Sequence, residues 1–335
     1  MILKNYQSVF AFILLAILAL SGPANANPEI WQRNGWSETD FSRSSIDFSE
    51  ILSGGPPKDG IPAIDDPQFV SAQSVTDLEP EEPVITLKIG DDARAYPLGI
   101  LIWHEIVNDI VGGQPVTITY CPLCNSAMVF DRRVSGRVLD FGTTGKLRNS
   151  DLVMYDRQTQ SWWQQFTGEA IVGTLTGVKL ETIPVRLESF ERFLQANPGG
   201  RVLVPNNPQM RRYGQNPYQG YDNQSRPNGY FFQGELPDYI NPMARVVAIK
   251  HNGQEMAVAL EMVRRDGSVN FGDVTIRWIE GQNSALDASD ISEGRDVGNI
   301  IVQVTGPDGP VDIVYDVTFA FVFHAFHPEY RILQN

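Results

Sequence analysis

Positive charge is scarce in this sequence of 335 residues. Lysine and arginine together number 26 against 40 aspartates and glutamates, and the formal net charge is −14. Binding to a nucleic-acid backbone or to anionic lipid needs clustered cations, so the composition argues against both classes of partner. Solubility alone accounts for the surplus of acidic residues.

The sequence also lacks the common catalytic motifs and any apolar run long enough to cross a membrane. It contains no glycine-rich phosphate loop, no His-x-x-x-His pair and no Gly-x-Ser-x-Gly elbow. Its longest apolar run, Val9 to Leu20, has 12 residues, whereas a membrane-spanning helix needs about 20. We therefore expect no transmembrane helix in the mature chain.

That apolar run belongs to a predicted secretory signal over residues 1–26. Lys4 supplies the basic start of the signal, and Ala24-Asn25-Ala26 has the small-x-small pattern that signal peptidase accepts. Cleavage before Asn27 is the prediction, and a retained single-helix anchor is the alternative. The protein is accordingly expected in the periplasm or outside the cell.

The mature chain divides into four segments by composition and pattern. Short alternating runs such as Val84 to Ile89 and Val116 to Tyr120 predict strands, while Leu98 to Asp109 and Leu187 to Ala196 predict helices. The segments are an irregular N-terminal arm (27–83), a first repeat (84–204), a connection rich in proline, tyrosine and asparagine (205–245) and a second, degenerate repeat (246–335).

The two repeats are inferred from residues that recur in constant order. Lys88, Ala95, Leu98 and Asn108 return 162 residues later as Lys250, Ala257, Leu260 and Asn270. Val116-Thr117-Ile118 returns as Val274-Thr275-Ile276 at an offset of 158, and Tyr155-Asp156 as Tyr315-Asp316 at 160. An ordered series of this kind indicates a diverged duplication. We predict a mainly β fold with minor helices (α+β), internally duplicated as a pseudo-twofold β sandwich or barrel-like structure.

The reactive residue types are concentrated in the first repeat. Cys121 and Cys124, in a Cys-Pro-Leu-Cys turn, are the only cysteines, and the second repeat has Ile279 and Gln282 in their place. Such a pair can form a reversible disulfide with a thiol/disulfide partner protein. It can also hold zinc or copper, or form a structural disulfide. A ring this small removes little chain entropy, so stability is a weak reason for the pair.

Two resemblances concern these residues. Thr119 to Ala127 locally resembles the active-site stretch of glutaredoxins, although Leu123 replaces an aromatic residue and the following residues suggest a strand. A wider series resembles the bacterial family known as domain of unknown function 3179; it comprises residues 95–98, Trp103-His104-Glu105-Ile106-Val107-Asn108, Tyr120 to Cys124, Leu152 to Arg157 and Ser161-Trp162. The second resemblance implies that His104, Cys121 and Cys124 belong to a shared pattern, and it implies no substrate or cofactor.

Two hypotheses for the site follow, besides a scaffold protein with a structural disulfide. In the redox hypothesis Cys121 attacks, as the glutaredoxin resemblance implies, Cys124 resolves and His104 is a modulating base. In the metal hypothesis Cys121, Cys124, His104 and His324 hold copper or zinc. His324 and His327 are expected on one strand, where residues three apart point to opposite faces, so at most one of them reaches the site.

Overall fold

Short strands are the main secondary structure of the described chain, which is residues 26–334 of a computed structural model. The predicted signal therefore lies almost wholly outside the described residues. In chain order the strands of the arm and first repeat are β1 (Leu52–Ser53), β2 (Gln68–Ser71), β3 (Pro83–Ile89), β4 (Asp92–Pro97), β5 (Ile106–Val111), β6 (Gln114–Cys121), β7 (Ser126–Asp131), β8 (Arg133–Val134), β9 (Arg137–Val138), β10 (Phe141–Arg148), β11 (Asp151–Asp156), β12 (Trp162–Gln164), β13 (Glu169–Val172), β14 (Arg186–Ser189) and β15 (Arg201–Val204).

The second half adds seven strands, and five short α-helices are spread along residues 26–334. The strands are β16 (Arg245–His251), β17 (Gln254–Ala259), β18 (Ser268–Phe271), β19 (Val274–Ile279), β20 (Asn299–Gly306), β21 (Gly309–Asp312) and β22 (Tyr315–Phe319). The helices of the described chain are α1 (Pro28–Arg33), α2 (Leu98–His104), α3 (Phe190–Ala196), α4 (Leu260–Asp266) and α5 (Ala320–Phe326). Within residues 26–334, every helix is too short to span a membrane.

Five small sheets form a ring that resembles a five-bladed β-propeller. Their strand orders are β1-β10-β11-β12-β13, β14-β3-β4-β15-β2, β17-β16-β22, β18-β19-β20-β21 and β5-β6-β7. The prediction of a mainly β fold is confirmed, and the prediction of a sandwich is wrong. Every residue of β7 and β11 is buried, which requires cover on both faces of a sheet. A two-layer sandwich leaves one face of each sheet to solvent.

The two halves share one succession of elements with matching register. β3-β4-α2-β5-β6 in the first half corresponds to β16-β17-α4-β18-β19 in the second. The matched strand pairs are Val84 with Pro97 and Val246 with Ala259, then Asn108 with Thr117 and Asn270 with Thr275. Each residue of the first half lies 162 positions before its counterpart in the second half, except that Thr117 lies 158 positions before Thr275. These registers support an internal repeat.

The halves diverge after the β5-β6 and β18-β19 hairpins. Residues 122–125 join β6 to β7, whereas residues 280–298 join β19 to β20. The predicted correspondence of Tyr155-Asp156 with Tyr315-Asp316 is wrong, because the first pair belongs to β11 and the second to β22. The counterpart of β22 in the first half is β14. β22 pairs with β16 and β14 pairs with β3, and each of the two strands leads directly into a helix.

Both predicted helices exist but start or end differently. α2 ends at His104 because Glu105 adopts a left-handed conformation with φ of 59°, and residues 106–111 then pair with β6. The β-branched Ile106-Val107 pair favours that strand. α3 begins at Phe190, and the preceding residues 186–189 form β14 against β3. In both cases, pairing in a sheet overrides a helical apolar spacing.

The largest apolar core contains both cysteines. Cys121 and Cys124 are buried there with Phe319 and other residues of both halves. The 205–244 connection lies over this core through Tyr221 and Phe232, each 5% exposed. The Cys-Pro-Leu-Cys turn therefore sits where the two halves and their connection meet.

Candidate functional site

The cysteines are held by a tight turn between two strands of one sheet. β6 ends at Cys121 and β7 begins at Ser126. Across the turn, Cys124 N–H donates to the Cys121 carbonyl (3.2 Å) and Asn125 N–H donates to the Pro122 carbonyl (3.2 Å). Asn125 has φ of 51°, a conformation that asparagine tolerates better than most residues. The turn brings the two side chains together.

The second half of the chain holds this turn in place. The Cys124 carbonyl accepts hydrogen bonds from Thr318 Oγ1 (2.8 Å) and from Phe319 N–H (3.3 Å). Asn125 Nδ2 donates to the Val317 carbonyl (2.6 Å). All of these partners are buried, so the turn is rigidly attached to β22.

A third ligand-type residue, Asp151, reaches the cysteines from a different sheet. Asn149 and Ser150 form the tip of the hairpin between β10 and β11, with φ of 54° and 64°, and Asp151 is the first residue of β11. One ligand atom from each of Cys121, Cys124 and Asp151 lies within 4.8 Å of the other two. The Cys121 thiol also approaches the Ser150 carbonyl, at 3.6 Å.

The Asp151 carboxylate is oriented through one of its two oxygens. Oδ2 accepts hydrogen bonds from Gln164 Nε2 (2.6 Å) and Phe166 N–H (2.9 Å). Oδ1 is buried and has no hydrogen-bond partner among the described residues. The first oxygen therefore fixes the carboxylate, and the second is available to bind something else.

Burial shifts the titration of the acidic groups of the site towards higher pH. It raises the pKa of both thiols, more strongly that of Cys124, and the neighbouring Asp151 charge adds to the effect. Burial raises the pKa of Asp151 to about 7, although the hydrogen bonds from Phe166 and Gln164 oppose the shift. For Glu105, burial and then the Asp151 charge raise the pKa to about 8. A cation would favour the ionised forms of all these groups.

Several other buried polar atoms next to the turn have no hydrogen-bond partner within the described part of the chain. They are Ser150 Oγ and Gln165 Oε1, together with Ser126 Oγ and Asp316 Oδ2, whose side chains face each other. Native interiors satisfy nearly all such atoms. These atoms cluster around Cys121, Cys124 and Asp151, so this part of the interior can form further hydrogen bonds or coordinate a ligand.

His104, predicted as the third member of the site, has partners elsewhere. Its Nδ1 donates to the Pro62 carbonyl (2.7 Å), so its Nε2 accepts from the Tyr213 hydroxyl (2.8 Å) when the ring is neutral. Burial lowers the pKa of this imidazole. In residues 26–334 His104 is not part of the converging group of donor atoms, and its role with the cysteines stays a prediction.

His324 lies on a helix, which corrects the predicted strand. It belongs to α5, and His327 is the residue that ends this helix. The apolar run Ala320 to Phe323 is short enough to suit either a strand or a buried helix, and here it follows β22 as a helix. His324 lines a separate, open cavity with Glu235 and Asp238. Like His104, it is outside the converging group of the described chain.

Sequence reasoning missed Asp151 and gave Glu105 no role. Asp151 directly precedes the apolar residues Leu152 to Tyr155 and follows an Asn-Ser turn. An acid directly before four consecutive apolar residues is a signal that the sequence carries, although the burial of both faces of the strand is not. Its proximity to the cysteines was not, because it depends on how two sheets meet.

The fold and the site define a β-rich, ring-shaped chain in which a Cys-x-x-Cys turn meets a buried aspartate. The family described as "Protein of unknown function (DUF3179)" matches residues 58–330, which include both halves and every residue of the site. The chain belongs to this family, as the resemblance predicted. Comparison with curated proteins and with solved structures gave no match.

Proposed function

We propose that this protein is an exported metal-binding protein in which Cys121, Cys124 and Asp151 hold a zinc ion. The observation that carries the proposal is the convergence of two sulfurs and a carboxylate oxygen within 4.8 Å of one another. Tetrahedral zinc, with Zn–S near 2.3 Å and Zn–O near 2.0–2.2 Å, places its ligand atoms roughly 3.5–3.8 Å apart. The upper limit on the observed separations between ligand atoms, 4.8 Å, is about 1 Å larger than that spacing.

The types of donor atom favour zinc over copper. Two thiolates suit either zinc or copper(I), but a carboxylate is a hard ligand that zinc accepts and copper(I) does not favour. With three protein ligands from the described residues, one coordination position of the zinc is available for water or a group of a substrate. Copper is the alternative metal and is distinguished by the experiment below.

The surroundings of the three ligands suit a metal site. Asp151 is oriented by Gln164 and Phe166, and the Cys124 backbone is fixed by Thr318 and Phe319. Such outer partners hold metal ligands in position and usually matter for affinity. A dication in this place would also offset the cost of ionising buried thiols and a buried carboxyl.

The redox hypothesis is compatible with the same two cysteines, but two observations weigh against it. An attacking thiol needs access to a partner, and the exposed fractions of Cys121 and Cys124 are 2% and 0%. An attacking thiol also benefits from a lowered pKa, and burial raises the pKa of both. Metal binding does not require an exposed sulfur, and the metal itself displaces the thiol protons when it binds.

The test is the metal content of the exported, full-length protein and of three variants. We expect one zinc ion per chain in the wild type. Cys124→Ser and Asp151→Asn should each weaken zinc binding at least ~100-fold, because each removes a ligand. Asp156→Asn is the matched control, since Asp156 is a fully buried aspartate at the other end of β11, and it should keep its zinc.

Three results would contradict the proposal. The first is a wild type that takes up no zinc from a zinc-supplemented culture or in titration. The second is tighter binding of copper than of zinc at the same three residues, which would identify the site as a copper site. The third is a metal-free protein whose cysteines cycle between disulfide and dithiol and trap a partner when Cys124 is replaced, which would establish the redox hypothesis instead.

A further inference from the structure

A second place in the molecule, distinct from the cysteine site, has the features of a small-molecule site. It is a cavity of about 100 Å³ between the two halves. One water needs ~10–15 Å³ measured in this way, and a cavity of ~150 Å³ accepts benzene. The space is smaller than one that encloses benzene, so it suits the apolar end of a small molecule whose polar end stays at the rim.

The interior of this cavity is apolar and partly aromatic. Met128 comes from β7, Phe166 follows β12, and Phe323 lies on α5, and all three side chains are at most 9% exposed. The His327 ring lies 5.1 Å from the Phe323 ring and 6.0 Å from the Phe166 ring. These side chains form an apolar floor, which favours binding of the hydrocarbon part of a ligand.

The rim of the cavity has an unusual share of the protein's few lysines. Lys179 and Lys250 are two of only six lysines in the whole sequence, and both line this cavity. Lys250 is engaged by Glu255, at 2.6 Å, while Lys179 has no ion-pair partner among the described residues. A cation placed beside an apolar floor is the usual arrangement for holding the carboxylate of an amphipathic ligand.

Two acids limit the charge of such a ligand. Glu255 and Asp316 also line the cavity, and they would repel a dianion such as a phosphate monoester. Glu255 is paired with Lys250, and Asp316 is buried on β22, so Lys179 at the rim is the ammonium group left to meet one carboxylate. From this combination we propose that the cavity binds a small monocarboxylate with an apolar ring or branched chain, its carboxylate directed to Lys179. None of the three proposed zinc ligands lines the cavity, so this proposal does not depend on the metal site.

The experiment measures binding of three molecules of similar size and different charge to the purified full-length protein. The probes are benzoate, neutral benzyl alcohol and cationic benzylamine, and the measurement is ligand-observed NMR titration. We expect saturable binding of benzoate, at least tenfold tighter than that of benzylamine. Lys179→Glu should weaken benzoate at least tenfold and change benzyl alcohol less than twofold. Lys88→Glu, at an exposed lysine of β3 that does not line the cavity, should change neither.

A second variant tests the location without relying on charge. Thr182 lines the cavity and is half-buried, so Thr182→Phe should fill the space and abolish binding of all three probes while near-ultraviolet circular dichroism shows an intact fold. The proposal is overturned if benzoate shows no saturable binding. It is also overturned if benzylamine binds as tightly as benzoate, or if folded Thr182→Phe binds benzoate like the wild type.

Discussion

Zinc binding at the cysteine site should release a number of protons that changes with pH. Burial raises the pKa of both thiols, so each thiol carries a proton before zinc binds and loses it afterwards. Burial raises the pKa of Asp151 to about 7. Asp151 therefore contributes a third proton only below that pH. The affinity should fall as the pH falls, and it should fall more steeply in the acidic range.

The expected magnitude follows from the count of protons. Each proton released on binding changes the apparent affinity about tenfold per pH unit. Two thiols give a decrease of about 100-fold per unit above pH 7, and the added carboxyl proton gives about 1000-fold per unit well below pH 7. In Asp151→Asn the third proton is absent, so the weaker binding that remains should decrease by about 100-fold per unit over the whole range.

The assay is a competition titration against a chelator of known pH dependence. Glu105 has a pKa of about 8 and feels the charge of Asp151, so Glu105→Gln is introduced into both proteins to keep its proton out of the count. The reasoning is refuted if both proteins show the same slope in the acidic range. Above pH 7, a change in zinc affinity that corresponds to fewer than two protons would equally refute it, because it would mean that one thiol is not a ligand.

Three further predictions concern stability, each measured by urea denaturation. Arg94→Met should cost about 3–5 kcal/mol, because it leaves the buried carboxylate of Asp109 without the cation 2.7 Å away; a loss below ~1 kcal/mol would show that the pair is weak. For Glu82, burial raises the pKa from 4.5 to about 7, so the folded state binds its proton more tightly than the unfolded state. Relative to Glu82→Gln, wild-type stability should fall by about 3 kcal/mol between about pH 4.5 and 7, and an unchanged difference would contradict this. Tyr221→Phe should cost about 1 kcal/mol by removing the hydroxyl donor to the Leu123 carbonyl (3.1 Å), and equal stability would show that this bond contributes nothing.

Local pattern was enough to predict much of the fold. Alternating runs gave β3 and β6 to within a few residues, and the turn after β6 carries the cysteines as expected. The recurrence of Asn108 as Asn270 indicated the repeat, and the two residues occupy matching positions in hairpins, although a helix was predicted at Asn108. These features depend on residues close together in the chain, where side-chain spacing reports directly on secondary structure.

The features that could not be predicted depend on contacts between distant elements. Alternation in a strand shows that one face is buried, but it does not show that β11 is covered on both faces, which separates a ring of blades from a sandwich. Asp151 meets the cysteines because two sheets come together. The partners of His104 come from Pro62 in the arm and Tyr213 in the connection, and no spacing rule relates those segments to α2.

The most direct test of the zinc site is X-ray absorption at the zinc edge on the protein purified with its metal. The proposal predicts two sulfur neighbours at about 2.3 Å and oxygen or nitrogen neighbours at about 2.0–2.2 Å. In Asp151→Asn loaded with zinc, both sulfurs should remain and the oxygen shell should change. A spectrum with only nitrogen and oxygen neighbours, or with a single sulfur, would contradict the assignment of Cys121 and Cys124 as joint ligands.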